Sequence, residues 1–85
     1  MYLEIITPDK KIFAGECTSV HVPGTEGQMQ FLNNHAPLIT TLGKGKVKVK
    51  SAEGDSQYEI SGGVVEVLKN KVIVLAEKVI QPGIA

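Results

Sequence analysis

Apolar and polar positions alternate along most of this chain. Leu3 and Ile5 sit between Tyr2 and Glu4, and Ile12 begins a second short segment that ends at Gly15. Thr18, Val20 and Val22 alternate with Ser19 and His21 until Pro23-Gly24 stops the run. Met29 and Phe31 alternate with Gln28 and Gln30, Val47 and Val49 with Lys46, Lys48 and Lys50, and Tyr58 and Ile60 with Gln57 and Glu59. Successive side chains of a strand point to opposite faces, so each run predicts a strand with one face in a core and the other wet. Val64 to Leu68 and Val72 to Ala76 are apolar at nearly every position, which predicts strands that lie centrally or are covered on both faces. No window carries an apolar stripe at helical spacing.

Turn residues separate these runs: Thr7-Pro8-Asp9, Pro23-Gly24, Gly43-Lys44-Gly45, Glu53-Gly54-Asp55 and Lys69-Asn70-Lys71. Their spacing of about 8–12 residues points to an all-β sandwich or barrel. Glu53-Gly54-Asp55 and Lys69-Asn70-Lys71 each join two strand patterns and predict hairpins. Gly62-Gly63, after Ser61, predicts a tight bend or bulge with unusual backbone angles. No helix start follows it and no Gly-Lys-Ser/Thr motif exists, so it is no phosphate cradle.

Length and composition narrow the function classes. The chain has 85 residues, 42% hydrophobic and 21% charged, which suits one soluble globular domain. A chain this short buries roughly 60–65% of its surface, so stability is marginal without a partner. Nine lysines balance nine acidic residues and there is no arginine, which disfavours nucleic-acid binding. Cys17 is the single cysteine and implies a reducing compartment. The apolar run Val72 to Ala76 is far too short to span a membrane, and Met1-Tyr2-Leu3-Glu4 lacks signal-peptide character. Any membrane connection is expected to run through a partner.

Candidate chemistry is sparse. His21 and His35 with Cys17 form no recognisable zinc set, and no metal or cofactor is expected. His21 is expected on a wet strand face. His35, before Ala36-Pro37, either closes a hydrogen bond within its turn or touches a partner. Cys17 follows Glu16, the wrong neighbour for a reactive thiol, and reads as a core residue. Most carboxylates fall in turns or on wet faces, but Glu66 interrupts an apolar run and implies a polar partner or an interface. Lys44, Lys46, Lys48 and Lys50 share one strand face, either as a charged sheet edge or as a ridge for an acidic surface. No nucleophile–base–orienter set exists, so a small enzyme built on His35 is disfavoured. A free-standing ligand-binding sandwich would want exposed aromatics, whereas most of Tyr2, Phe13, Phe31 and Tyr58 fall in apolar phase.

One stretch, Gly24 to Leu38, packs a glycine-flanked turn, a strand and a His-Ala-Pro-Leu corner into a recognition-type surface. Together with Phe13-Ala14-Gly15, Val22-Pro23-Gly24-Thr25-Glu26-Gly27, His35-Ala36-Pro37-Leu38, Ser61-Gly62-Gly63-Val64-Val65-Glu66-Val67 and Val72-Ile73-Val74-Leu75-Ala76, it makes the chain resemble the epsilon subunit of F-type ATP synthases, in its N-terminal domain. The motifs keep the family's order and cover Leu3 to about Ile80.

The resemblance implies a single β-sandwich of about ten short, mostly antiparallel strands in two sheets, over residues 1–80, with a loose tail at 81–85. It implies a non-catalytic rotor subunit in the central stalk, bound to the gamma subunit and seated on the c-subunit ring. By carry-over, Glu26, Gln28 and His35 would approach the ring, and His35, Leu38 and Thr40 the gamma subunit. Gln28 is neutral where relatives often carry an acid, which favours a hydrogen-bonded ring contact. The expected location is peripheral, on the cytoplasmic face of a bacterial inner membrane, within the complex. Many relatives continue into a two-helix domain that brakes ATP hydrolysis. These residues stop where it would begin, and their clean ends favour a naturally short form over a trimmed one.

Overall fold

A computed structural model describes residues 1–81, and these form ten strands and no helix. In chain order they are β1 (Tyr2–Ile6), β2 (Lys11–Glu16), β3 (Ser19–Gly24), β4 (Gly27–Leu32), β5 (Leu38–Leu42), β6 (Gly45–Ser51), β7 (Gly54–Ile60), β8 (Gly63–Leu68), β9 (Lys71–Ala76) and β10 (Val79–Gln81). Gln81 thus closes the last strand, and residues 82–85 of the expected tail lie outside the described residues.

The pairings make two five-stranded layers, β4-β3-β6-β7-β10 and β5-β8-β9-β1-β2. They join through one residue pair, Gly24 opposite Leu42, so the hydrogen-bonded path runs continuously from one layer into the other. All neighbours are antiparallel except β1 and β9. That parallel pair brings together strands from opposite ends of the chain, a long-range closure of the layer.

The alternation seen in the sequence decides which side chains enter the core. Val20, Val22, Val47, Val49, Phe31 and Ile60 point inward from the first layer. Leu3, Ile5, Val65, Val67, Val72 and Val74 meet them from the second, all at 2% exposure or less. Each such side chain contributes about 1.5–3 kcal/mol through removal from water. The apolar runs of β8 and β9 lie centrally in their layer, as their composition predicts.

The turns follow local chemistry. Between β8 and β9 the loop is only Lys69-Asn70, with φ of 52° and 62°, and Lys71 already belongs to β9. Positive φ at both central residues is the hairpin turn whose twist matches its strands. Gly63 takes φ of 151°, and a Cβ there would land on the Leu75 carbonyl oxygen and lie 3.0 Å from Ala76 Cα. Here the paired glycines serve close strand approach.

One expectation needs correction. The lysine ridge of β6 is no sheet edge, because β3 and β7 flank it on both sides. Lys46, Lys48 and Lys50 stand exposed on the outer face because Val47 and Val49 take the inner one.

Candidate functional site

The hairpin of β3 and β4 turns at Thr25-Glu26, with Gly24 opposite Gly27. A Cβ on Gly24 would come within 2.7 Å of Met29 Cε and 2.5 Å of the Gly27 carbonyl oxygen, so this corner admits no side chain. The tip is tied to the other layer. Thr25 donates its N–H to the Thr41 carbonyl at 3.2 Å, the two threonine hydroxyls lie 3.0 Å apart, and Gly43 N–H donates to the Pro23 carbonyl at 2.8 Å. Glu26, Gln28, Met29 and Thr40 line a shallow groove of ≈ 310 Å³ at this end. Glu26 and Gln28 are exposed and Thr40 half-buried.

The loop from β4 to β5 is anchored at the other end. Asn33 Oδ1 accepts a hydrogen bond from the Met1 ammonium, which also donates to the Cys17 carbonyl at 3.1 Å and pairs with Glu16 at 3.5 Å. Asn34, at φ 64°, donates its N–H to Asn70 Oδ1 at 2.8 Å. His35 donates its N–H to the Leu32 carbonyl at 3.2 Å, and its Nδ1 lies 2.7 Å from the Ala36 carbonyl. Because a carbonyl only accepts, Nδ1 donates to it, which leaves Nε2 of the exposed ring without a partner among the described residues. The ring also stands edge-on against buried Phe31, with centroids 5.0 Å apart.

The structure therefore brings Glu26, Gln28 and Thr40 to one groove, but not His35. His35 follows the far end of β4, roughly 20 Å along the strand from the hairpin tip. Leu38 is half-buried and shares its side of β5 with Thr40 and buried Leu42, while Ile39 and Thr41 point outward. Ile39, at 68% exposure, was not singled out from the sequence, although the alternation leading to Leu42 assigns it the outer face. Asn33, Asn34 and Asn70 were also missed. Their signal is an Asn-Asn pair before the His corner and an Asn within a tight turn.

The remaining candidates have structural settings. Cys17 is 4% exposed, and burial pushes its thiol up, against the pull of the nearby ammonium. His21 is half-buried, in register between Gln30 and Lys48. Tyr58 packs edge-on against Phe13 at 6.1 Å. Among the described residues no His, Cys, Asp and Glu side chains cluster as metal ligands, and no helix is long and apolar enough to cross a membrane.

Comparison with known proteins gives this surface a context. The pattern defining the ATP synthase delta/epsilon chain β-sandwich domain matches residues 1–82. An ATP synthase epsilon chain from Chlorobium limicola is 45% identical over 78 residues, covering 91% of this chain and 89% of that one. One from Caulobacter vibrioides is 36% identical over 81 residues, covering 95% and 94%. In a third, from Pelotomaculum thermopropionicum, the match at 43% identity covers 87% of this chain but 55% of the relative. Among solved structures, a chain of the Euglena gracilis mitochondrial ATP synthase, an assembly of OSCP, F1 and c-ring, superposes with a TM-score of 0.84 at 26% identity, over 92% of this chain and 51% of that chain. A chain from the central stalk and c-ring of the Tetrahymena thermophila enzyme shares the fold at a TM-score of 0.77 and 17% identity, over 94% and 65%. The chain belongs to the ATP synthase delta/epsilon chain family, as a β-sandwich domain in a non-catalytic subunit of that membrane-associated complex.

Proposed function

We propose that this domain is the foot of the central rotor, joining the gamma subunit to the c-subunit ring and so supporting the coupling of ion flow to ATP synthesis. The observation that carries the reading is the tethered hairpin tip. Glu26 and Gln28 are presented on a turn bonded to both layers, so a pull at the tip loads two sheets rather than one flexible loop. A densely packed, laddered sandwich resists shear, which is what a torque-bearing element requires.

In this reading Glu26 and Gln28 meet the polar loops of the ring, Gln28 through hydrogen bonds. His35 is the second contact point, offering Nε2 to the ring or to the gamma subunit. The gamma subunit also runs along β5, near Leu38 and Thr40. Each contact is of standard size, about 800 Å² per partner. The domain sits on the cytoplasmic side of a bacterial inner membrane, held there by its partners alone.

The test is the triple variant Glu26→Lys, Gln28→Lys, His35→Ala in the assembled enzyme. It leaves the core intact and is expected to release the catalytic head from membranes and to depress proton-driven ATP synthesis. Co-sedimentation and synthesis at wild-type levels would refute the assignment.

A further inference from the structure

We propose that β4 is a pairing edge, and that two copies of this chain join antiparallel through it, centred on Gln30, as a closed dimer. The inference stands apart from the stalk reading and concerns the chain outside the complex.

An edge strand offers unpaired N–H and C=O groups to any other strand, and proteins blunt it with charge, proline, a bulge or shortness. The other edges here are blunted. β2 carries Lys11 and Glu16, and its register with β1 shifts between Ile5 and Ile6. β10 is three residues long and irregular in register, and the part of β7 it leaves open begins Gly54-Asp55. β5 is tied to the first layer through Gly24 and through the Thr25 N–H on the Thr41 carbonyl. β4 has none of these devices. Gly27-Gln28-Met29-Gln30-Phe31-Leu32 is uncharged, holds no proline and keeps one register with β3 throughout. Among the described residues no strand pairs with its other side.

The register fixes which groups face outward. Pro23 lies opposite Gln28, and its carbonyl accepts from Gly43, away from β4. Hydrogen bonding alternates along an antiparallel pair, so Gly27, Met29 and Phe31 bond to β3. The backbone groups of Gln28, Gln30 and Leu32 therefore point to the open side. The Leu32 carbonyl agrees with this, since it accepts from His35 beyond the strand.

The occupant follows from the strand's own pattern. Antiparallel pairing about Gln30 sets the outward groups of each Gln30 against those of the other, and Gln28 against Leu32 of the second copy. Residues that meet then share a face: exposed Gln28, Gln30 and Leu32 outside, half-buried Met29 beside buried Phe31 within. Leu32, 54% exposed, comes to lie beside Gln28 of the second copy. No like charges meet, and the strand is complementary to itself, as a two-fold interface requires. A charged extended peptide would find no counter-charge on β4. Each copy has one such edge, so pairing stops at two instead of running on into fibres. In the stalk reading Gln28 meets the ring, so the pair is a form of the unassembled chain.

Sedimentation velocity of the purified chain, over about 10 µM to 1 mM, tests this. The wild type is expected to pass from one copy to two, with amide exchange at Gln28, Gln30 and Leu32 slowing in step. Gln30→Pro removes an outward N–H at a position where an edge strand tolerates proline, and Gln30→Lys sets like charges together at the centre of the pair. Each is expected to weaken pairing at least about tenfold, whereas Lys48→Glu, on a strand flanked by β3 and β7, changes it less than about twofold. Thermal melts establish that the variants fold, and if Gln30→Pro does not, Gln30→Lys decides. A chain that stays single at the highest concentration overturns the inference. So do assemblies larger than two, pairing that survives Gln30→Lys, and slowed exchange on β2 or β10 instead of β4.

Discussion

The two layers of this sandwich have nearly the same inner faces and very different outer ones. Inside, each contributes buried aliphatic side chains on alternate positions. Outside, the first layer shows Gln28, Gln30, His21, Lys46, Lys48, Lys50, Asp55 and Gln57, with Leu32 and Ile80 its exposed large apolar side chains, while the second shows Ile39, Val64, Ile73 and Leu75 around Glu66, beside the paired Glu4 and Lys71. A fold needs only the inner faces, so the asymmetry outside reflects what each surface meets. Water suits the first. The second holds apolar area that folding has left uncovered, the kind of surface a partner would cover.

The sharpest way to break this comparison is to show that the apolar outer face stabilises the isolated chain as the core does. Ile5→Ala removes a side chain at 0% exposure and is expected to cost about 3 kcal/mol, read from urea unfolding. Gly63→Ala tests the backbone beneath the same layer. Its Cβ would meet the Leu75 carbonyl from a φ of 151°, and the expected loss is about 2 kcal/mol. Leu75→Ser on the outer face is expected to cost less than about 1 kcal/mol in the isolated chain. In the assembled enzyme the same change is expected to loosen the stalk. Equal losses for Ile5→Ala and Leu75→Ser in the isolated chain would erase the distinction between core and outer face.

The inner faces were legible because a strand's period of two is written locally. Val47 and Val49 between lysines, or Tyr58 and Ile60 beside Gln57 and Glu59, assign themselves without tertiary knowledge. The outer faces were less legible. Nothing in the sequence of β6 tells whether its lysines stand on an edge or on an interior strand, because that depends on β3 and β7 closing around it. The continuous apolar runs of β8 and β9 fit two-sided burial equally well, and only the layer order leaves one side open. The candidate site divides the same way. Glu26 and Gln28 share a hairpin and lie two residues apart in sequence, and Thr40 joined them only because Gly24 pairs with Leu42. His35 was grouped with them by resemblance, and the length of β4 separates it from the tip.

The smallest effect sharpens the comparison within the second layer itself, where Glu4 is matched by lysines and Glu66 joins no ion pair among the described residues. The hydrogen bond from Lys11 holds the Glu4 carboxyl below its ordinary value of 4.5; burial opposes this, and the charges of Lys11 and Lys71 assist. A carboxyl lowered in the folded state is ionised in both states well above 4.5, where its contribution to stability is fully present. As pH falls below 4.5 the unfolded chain takes up its proton first, and the contribution is lost until the folded chain is protonated too. Lys11 is raised from 10.5 by the same pairing, so its share is complete below that value and lost only as pH rises past it. The melting-temperature gap between wild type and Glu4→Gln should therefore be widest near neutrality, close as pH falls below 4.5, and narrow in high salt. Lys11→Gln should remove most of the gap and Lys71→Gln little, following their separations of 3.0 and 3.9 Å from Glu4. A gap that stays constant on acidification would show that Glu4 acts through packing, and the face would then lack the matched charge against which Glu66 stands out.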